Sequence, residues 1–271
     1  GIYYEPKSLK AINCQTGYKK MIKFAQKYDI PFDICGKIIV ATEKKELNVL
    51  DEIYKRGVEN GLSNIKYLKS DEIKDYEPHC KGLKAIHVPQ AGIINYKEVS
   101  KKILELLILN GVDISFNQEV KKIKDDDNSV SIETINKTYI TKKLICCGGL
   151  HSDRLSDKTN KEKDLRILPF RGEYYEIKKE SENLVSNLIY PVPDPAFPFL
   201  GVHFTRMIEG GIEAGPNAVL AFKREGYKFT DFNLNDFKDI VFWPGFWKIA
   251  LKYGKIGAYE MYRSLSKKAF T

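Results

Sequence analysis

The chain has 271 residues, 43% apolar and 30% charged, an ordinary balance for a soluble globular protein of one large or two modest domains. No run of about 18 apolar residues occurs, so no transmembrane helix is expected. The net charge is +8, from 44 Lys plus Arg against 36 Asp plus Glu, but the lysines are spread along the chain. That pattern argues for solvated helix faces rather than a nucleic-acid stripe, and leaves a positive field that would draw a small dianion or an acidic membrane surface.

Gly1-Ile2-Tyr3-Tyr4-Glu5 offers neither a signal peptide nor a starting Met, so the expectation is a chain that begins partway into something longer. Tyr18, Met21, Ile22, Ala25 and Tyr28 recur at helical spacing and predict an amphipathic helix over roughly 9–28. Pro31 and Gly36 bracket the turn into a strand, Lys37 to Thr42, and a second helix carrying Leu47, Leu50, Tyr54 and Gly57 ends near Gly61. Ser70 to Ile73 opens a short helix that Pro78 terminates, and Val99, Ile103, Leu106 and Leu107 mark a third long helix closed by Asn110-Gly111. Val112, Ile114 and Phe116 alternate as a strand does, as do Val130 and Ile132, with the turn at Asp125 to Asn128. An apolar strand, Leu144 to Cys147, then runs into Gly148-Gly149. Ile167 to Ile177 and Phe199 to Met207 read as long strands, and Gly210-Gly211 turns into a hairpin partner at Ile212 to Ala214. From Asn233 the pattern is helical, interrupted at Trp243-Pro244. Helix and strand alternating in this way predict an α/β (α+β) fold with some parallel pairing. The cysteines, Cys14, Cys35, Cys80, Cys146 and Cys147, are scattered and form no C-x-x-C pair; they read mostly as small core residues in a reducing cytoplasm, with no metal site.

Three segments carry candidate chemistry. Gly148-Gly149-Leu150-His151-Ser152-Asp153-Arg154 joins paired glycines to a helix N-terminus, where backbone N–H groups can approach a phosphate; a plain tight turn is the alternative. In Pro169 to Glu176, strand alternation puts Arg171, Glu173 and Tyr175 on one face and Tyr174 on the other; a solvated face would explain them equally. Gly201 to Arg206 puts His203 and Thr205 on one side of a strand, although a lone His is commonly structural. There is no G-x-S-x-G, H-E-x-x-H, P-loop or G-x-G-x-x-G.

Longer strings go further. Gly1 to Tyr4, Ser8 to Ala11, Cys35-Gly36-Lys37, Pro169 to Tyr174, Tyr190 to Asp194, Phe197 to Arg206 and Gly215 to Tyr227 resemble, in order, the L-2-hydroxyglutarate oxidase and dehydrogenase family of D-amino-acid-oxidase-like flavoproteins. The resemblance implies part of a Rossmann-type FAD domain interwoven with a substrate domain built on a mixed β-sheet with helices. Residues 1–35 and 95–165 would belong to the FAD domain, 36–94 and 166–232 to the substrate domain, and 233–271 would lead back towards the FAD domain. It implies oxidation of L-2-hydroxyglutarate to 2-oxoglutarate by hydride transfer to flavin N5. His203 would take the hydroxyl proton, Arg206 and Arg171 would bind the carboxylates, and Tyr174 and Asn217 would orient the substrate. FAD contacts would come from Gly1, Tyr3, Gly148, Gly149 and Ser152. In the family a strand–G-x-G-x-x-G–helix precedes the Gly-Ile-Tyr-Tyr string and further residues follow, so the residues present are expected to hold FAD weakly or not at all. Glu5 stands where relatives often carry Lys. A flavoenzyme for another 2-hydroxy acid or an amino acid, and a non-catalytic segment, are the alternatives; a cytoplasmic place, peripheral to the inner membrane, is the expected location.

Overall fold

A computed structural model describes residues 1–126, 128–159, 165–194 and 201–270. Gly1–Gly111 with Glu173–Asn217 form one compact unit, and Val112–Gly172 with Ala218–Thr271 form a second.

In the first unit, helix α1 spans Leu9–Lys27 and starts where the Ser8 hydroxyl accepts the Ala11 amide at 3.2 Å. Strands β1 (Phe32–Asp33) and β2 (Lys37–Ala41) follow, then α2 (Leu47–Glu59), β3 (Lys66–Lys69), β4 (Lys84–Val88) and β5 (Ile93–Ile94). Helix α3 (Tyr96–Leu109) opens on Asn95, whose side-chain oxygen accepts the amides of Lys97 and Glu98 at 3.1 and 3.2 Å. It closes at Gly111, whose φ of +74° is left-handed and cheapest for glycine.

The second unit begins with a three-stranded antiparallel sheet of β6 (Val120–Asp126), β7 (Ser129–Thr134) and β8 (Thr138–Thr141). Helix α4 (Ser152–Thr159) comes next. The chain then returns to the first unit, which holds β10 (Leu188–Pro191), β11 (His203–Arg206) and most of β9 (Phe170–Glu176) and β12 (Ile212–Leu220), and the second unit resumes with α5 (Leu234–Val241), α6 (Pro244–Leu265) and α7 (Lys267–Phe270). Pro244 sits at the start of α6, where its missing N–H costs nothing, so the sequence break at Trp243 begins a new helix.

Among the described residues the main sheet has seven strands, ordered β3-β4-β2-β10-β11-β12-β9. It is mixed: β2 and β10 run parallel, whereas β3–β4, β2–β4, β10–β11 and β11–β12 are antiparallel. Strand β2 is apolar on both sides because both are covered. Ile39 and Ala41 join Ile86, Val88 and the α2 residues Leu50 and Ile53 in one core. Ile38 and Val40 meet Leu68, Ile73 and Ala85 on the other face. Gly57 lets α2 come close, since a Cβ there would lie 2.8 Å from Ile65 Cδ1 and 2.9 Å from Ile2 Cγ1.

Three expectations change. Residues 112–119 are not a strand, although Val112, Ile114 and Phe116 alternate, and neither are Leu144 to Cys147. No described strand offers either run a ladder, and Phe116 and Ile145 are 69% and 84% exposed. Apolar patterning earns a strand only where a neighbour accepts its hydrogen bonds. Cys146 and Cys147 are therefore exposed rather than core residues, while Cys14, Cys35 and Cys80 are partly buried. Asp127 and the first two residues of the strand expected at 199–207 lie outside the described residues.

Candidate functional site

His203 begins β11 and is 9% exposed. Ile189 pairs with Phe204, so Tyr190, one step on, stands opposite His203 on the same face of the sheet. Their rings stack with centroids 4.3 Å apart at 13°. Tyr174 presents its edge to the imidazole at 6.5 Å. His203 Nδ1 lies 3.1 Å from the Gly201 carbonyl, which can only accept, so the contact selects the tautomer with hydrogen on Nδ1 and a lone pair on Nε2. Burial pushes the His203 pKa down, the Gly201 hydrogen bond works the other way, and the nearby charge of Lys37 pushes it down further.

Lys37 is the feature that sequence reasoning passed over as part of a strand. It opens β2 and is partly buried. Its ammonium sits over the Tyr3 ring at 4.4 Å and over the Tyr190 ring at 4.8 Å. Burial lowers its pKa to about 8. Its place as the one cation in Lys37-Ile38-Ile39-Val40-Ala41 was the available signal, because nothing in an apolar strand calls for an ammonium. The Tyr3 hydroxyl is buried with no hydrogen-bond partner among the described residues, and burial raises its pKa strongly.

The other expected site residues fall in different surroundings. Arg206 is three positions from His203, so strand alternation turns it to the opposite face, where it pairs with Asp33. The structure therefore does not bring Arg206 to the imidazole. Asn217 is 1% exposed and its amide reaches Glu173 Oε2 at 3.5 Å. Tyr174 is 48% exposed. Gly215 lets its strand pass Tyr174, since a Cβ there would lie 2.6 Å from Tyr174 Cδ1.

In the second unit, Arg171 is buried, donates to the Lys228 carbonyl at 3.0 Å and stands over the Phe229 ring at 6.0 Å. The turn before α4 is held by Arg224, which donates to the Leu150 carbonyl at 2.5 Å and to both Asp153 oxygens at 2.5 and 2.7 Å. Burial alone would raise the Asp153 carboxyl, but the hydrogen bonds from Arg224 and the Ile167 amide outweigh it and hold the pKa at about 2. An open cleft of about 520 Å³ beside this turn is lined by His151, Arg154, Lys223 and Arg224 as well as Asp236 and Asp239.

The fold and these strings have known counterparts. A family model described as FAD dependent oxidoreductase matches residues 1–249, and the chain belongs to that family. It is 50% identical, over its whole length, to L-2-hydroxyglutarate dehydrogenase of Indibacter alkaliphilus, covering 68% of that protein. It is 40% identical to the mitochondrial enzyme of that name from Homo sapiens, with 97% of this chain and 60% of the relative covered. The chain thus spans about 60–68% of the length of these relatives. L-α-glycerophosphate oxidase from Mycoplasma pneumoniae, solved with FAD bound, superposes with a TM-score of 0.72 at 25% identity, over 83% of this chain and 60% of that one.

FAD is the cofactor of this family, and the second unit fits part of it. Gly149 has a φ of +51° and open space where a Cβ would stand, so its backbone can approach a phosphate ahead of Ser152 and α4. Gly148 also serves packing, for a Cβ there would lie 2.5 Å from Leu155 Cδ1.

Proposed function

We propose that the protein carrying this chain oxidises L-2-hydroxyglutarate to 2-oxoglutarate, with His203 as the proton acceptor. The names of the relatives, at 40–50% identity, support the substrate. The observation that carries the chemistry is the buried imidazole of His203, tied to Gly201 through Nδ1 and stacked on Tyr190. Held neutral by burial, it keeps the Nε2 lone pair that a general base requires.

The substrate hydroxyl gives its proton to Nε2, and the hydrogen on the same carbon leaves with its electron pair, so the alcohol becomes a ketone. FAD, when bound, supplies the two-electron acceptor for that hydrogen. Tyr190 fixes the ring plane of His203, and Tyr174 and Asn217 orient the substrate. Gly149 and Ser152 would hold a cofactor phosphate, while Gly1 and Tyr3 as cofactor contacts and Arg171 as a carboxylate ligand rest on family likeness alone. No described helix is long and apolar enough to cross a membrane. The net charge of +8 suits attraction to an acidic membrane surface, and five free cysteines suit a reducing compartment.

The test is a panel of L-2-hydroxy acids and L-amino acids offered to the FAD-loaded protein. Formation of 2-oxoglutarate from L-2-hydroxyglutarate, at the highest kcat/KM in the panel, is the expected result. Turnover confined to amino acids or to another hydroxy acid would overturn the substrate.

A further inference from the structure

An ammonium taken out of water is costly unless an anion meets it. Lys37 has no carboxylate within ion-pairing distance among the described residues. What surrounds it instead is a box of rings, Tyr3 at 4.4 Å and Tyr190 at 4.8 Å, with the Cys14 thiol of α1 near enough to act on its charge. Cation–π contacts offset part of the desolvation but leave the ammonium's hydrogens without a strong acceptor. The Tyr3 hydroxyl beside it also lacks a hydrogen-bond partner among the described residues. On the other ring of the pair, Tyr190 carries the stacked imidazole of His203, and the Lys37 charge reaches that imidazole.

The geometry points to Lys37 as the cation that receives a substrate carboxylate, with the Tyr3 hydroxyl as its companion donor. This rests on the proposed hydroxy-acid oxidation and adds a recognition element to it. Lys37 and His203 flank one tyrosine on one sheet face, so an acid anchored on the ammonium keeps its hydroxyl-bearing carbon on the imidazole side. An uncompensated cation also excludes neutral alcohols, because burying it without a counter-charge is the costlier state. The titratable groups facing Lys37 are Tyr3, Cys14, Tyr190 and His203, and burial is the largest influence on the ammonium's own proton affinity.

The test uses the FAD-loaded protein and two probes, L-2-hydroxyglutarate for turnover and the unreactive dianion glutarate for binding. Lys37→Met, which keeps the bulk between the rings, is expected to raise KM and the glutarate Kd about ten- to a hundredfold with little change in kcat. Wild-type glutarate affinity is expected to fall as pH rises through about 8, as Lys37 loses its proton. In Lys37→Arg, always charged, affinity should stay flat across that range. Absence of glutarate binding, or binding that is the same in all three proteins at every pH, overturns the inference. Oxidation of L-2-hydroxyglutarate that ignores Lys37 removes this inference alone. Glutarate binding that needs Lys37, without L-2-hydroxyglutarate turnover, removes the substrate assignment alone.

Discussion

The imidazole of His203 lies flat against the phenol ring of Tyr190, with centroids 4.3 Å apart and planes within 13°. The same phenol ring has the Lys37 ammonium 4.8 Å from its centre. One tyrosine thus positions both the proposed base and the proposed anion anchor. Losing it should disturb both. Tyr190→Leu is expected to lower kcat and raise KM together, whereas Tyr190→Phe, which keeps the ring, should stay within about threefold of wild type, losing a neutral hydroxyl that interacts with Thr205. Steady-state kinetics of the two variants checks this.

The pH profile follows from the direction of the His203 shift. Burial and Lys37 lower its pKa, so the base is neutral and competent above that value and lost as pH falls through it. The acidic limb of kcat/KM, which reports the free enzyme, should therefore lie below the usual histidine value of about 6.5. A bound carboxylate cancels part of the Lys37 charge, so the limb of kcat should lie higher than that of kcat/KM. Lys37→Met should move the kcat/KM limb upward.

Arg206 gives the opposite expectation. It faces away from His203 and pairs with Asp33, with side chains 32% and 47% exposed. Such a pair contributes about 0–1 kcal/mol. Arg206→Lys should change kcat/KM by less than about threefold, as measured by initial rates. A substrate clamp would instead lose ten- to a hundredfold with the guanidinium fork.

The Asp153–Arg224 pair is a different matter, with both side chains 3% exposed. Removing one partner leaves a buried charge, so Arg224→Met should cost about 3–5 kcal/mol in denaturant unfolding and loosen the turn at Gly149. The Asp153 pKa is depressed to about 2, so its contribution is present above the unfolded value near 4 and is lost as pH falls towards 2. In Arg224→Met that part of the acid loss should shrink.

Much of the fold was legible in the sequence where local signals and tertiary packing agree. The helix over roughly 9–28, the close of the third long helix at Asn110-Gly111 and the β11–β12 hairpin at Gly210-Gly211 were readable, because helical spacing and turn residues are written in neighbouring positions. Leu144 to Cys147 was not legible, since a strand also needs a ladder partner elsewhere in the chain. Within the site, His203 could be picked from its string, and alternation along Gly201 to Arg206 already put Arg206 on the other face. Lys37 was hidden because its meaning comes from Tyr3 and Tyr190, which reach it only through the fold.

The most direct test of the account is an anaerobic titration of the FAD-loaded protein with L-2-hydroxyglutarate, wild type beside His203→Asn, followed by visible flavin absorbance. The account predicts rapid bleaching in the wild type, and bleaching slowed by roughly 10²–10⁴ in His203→Asn with glutarate affinity nearly unchanged. Bleaching at the wild-type rate in His203→Asn, with the same acidic limb, would contradict it and make His203 a structural residue of β11.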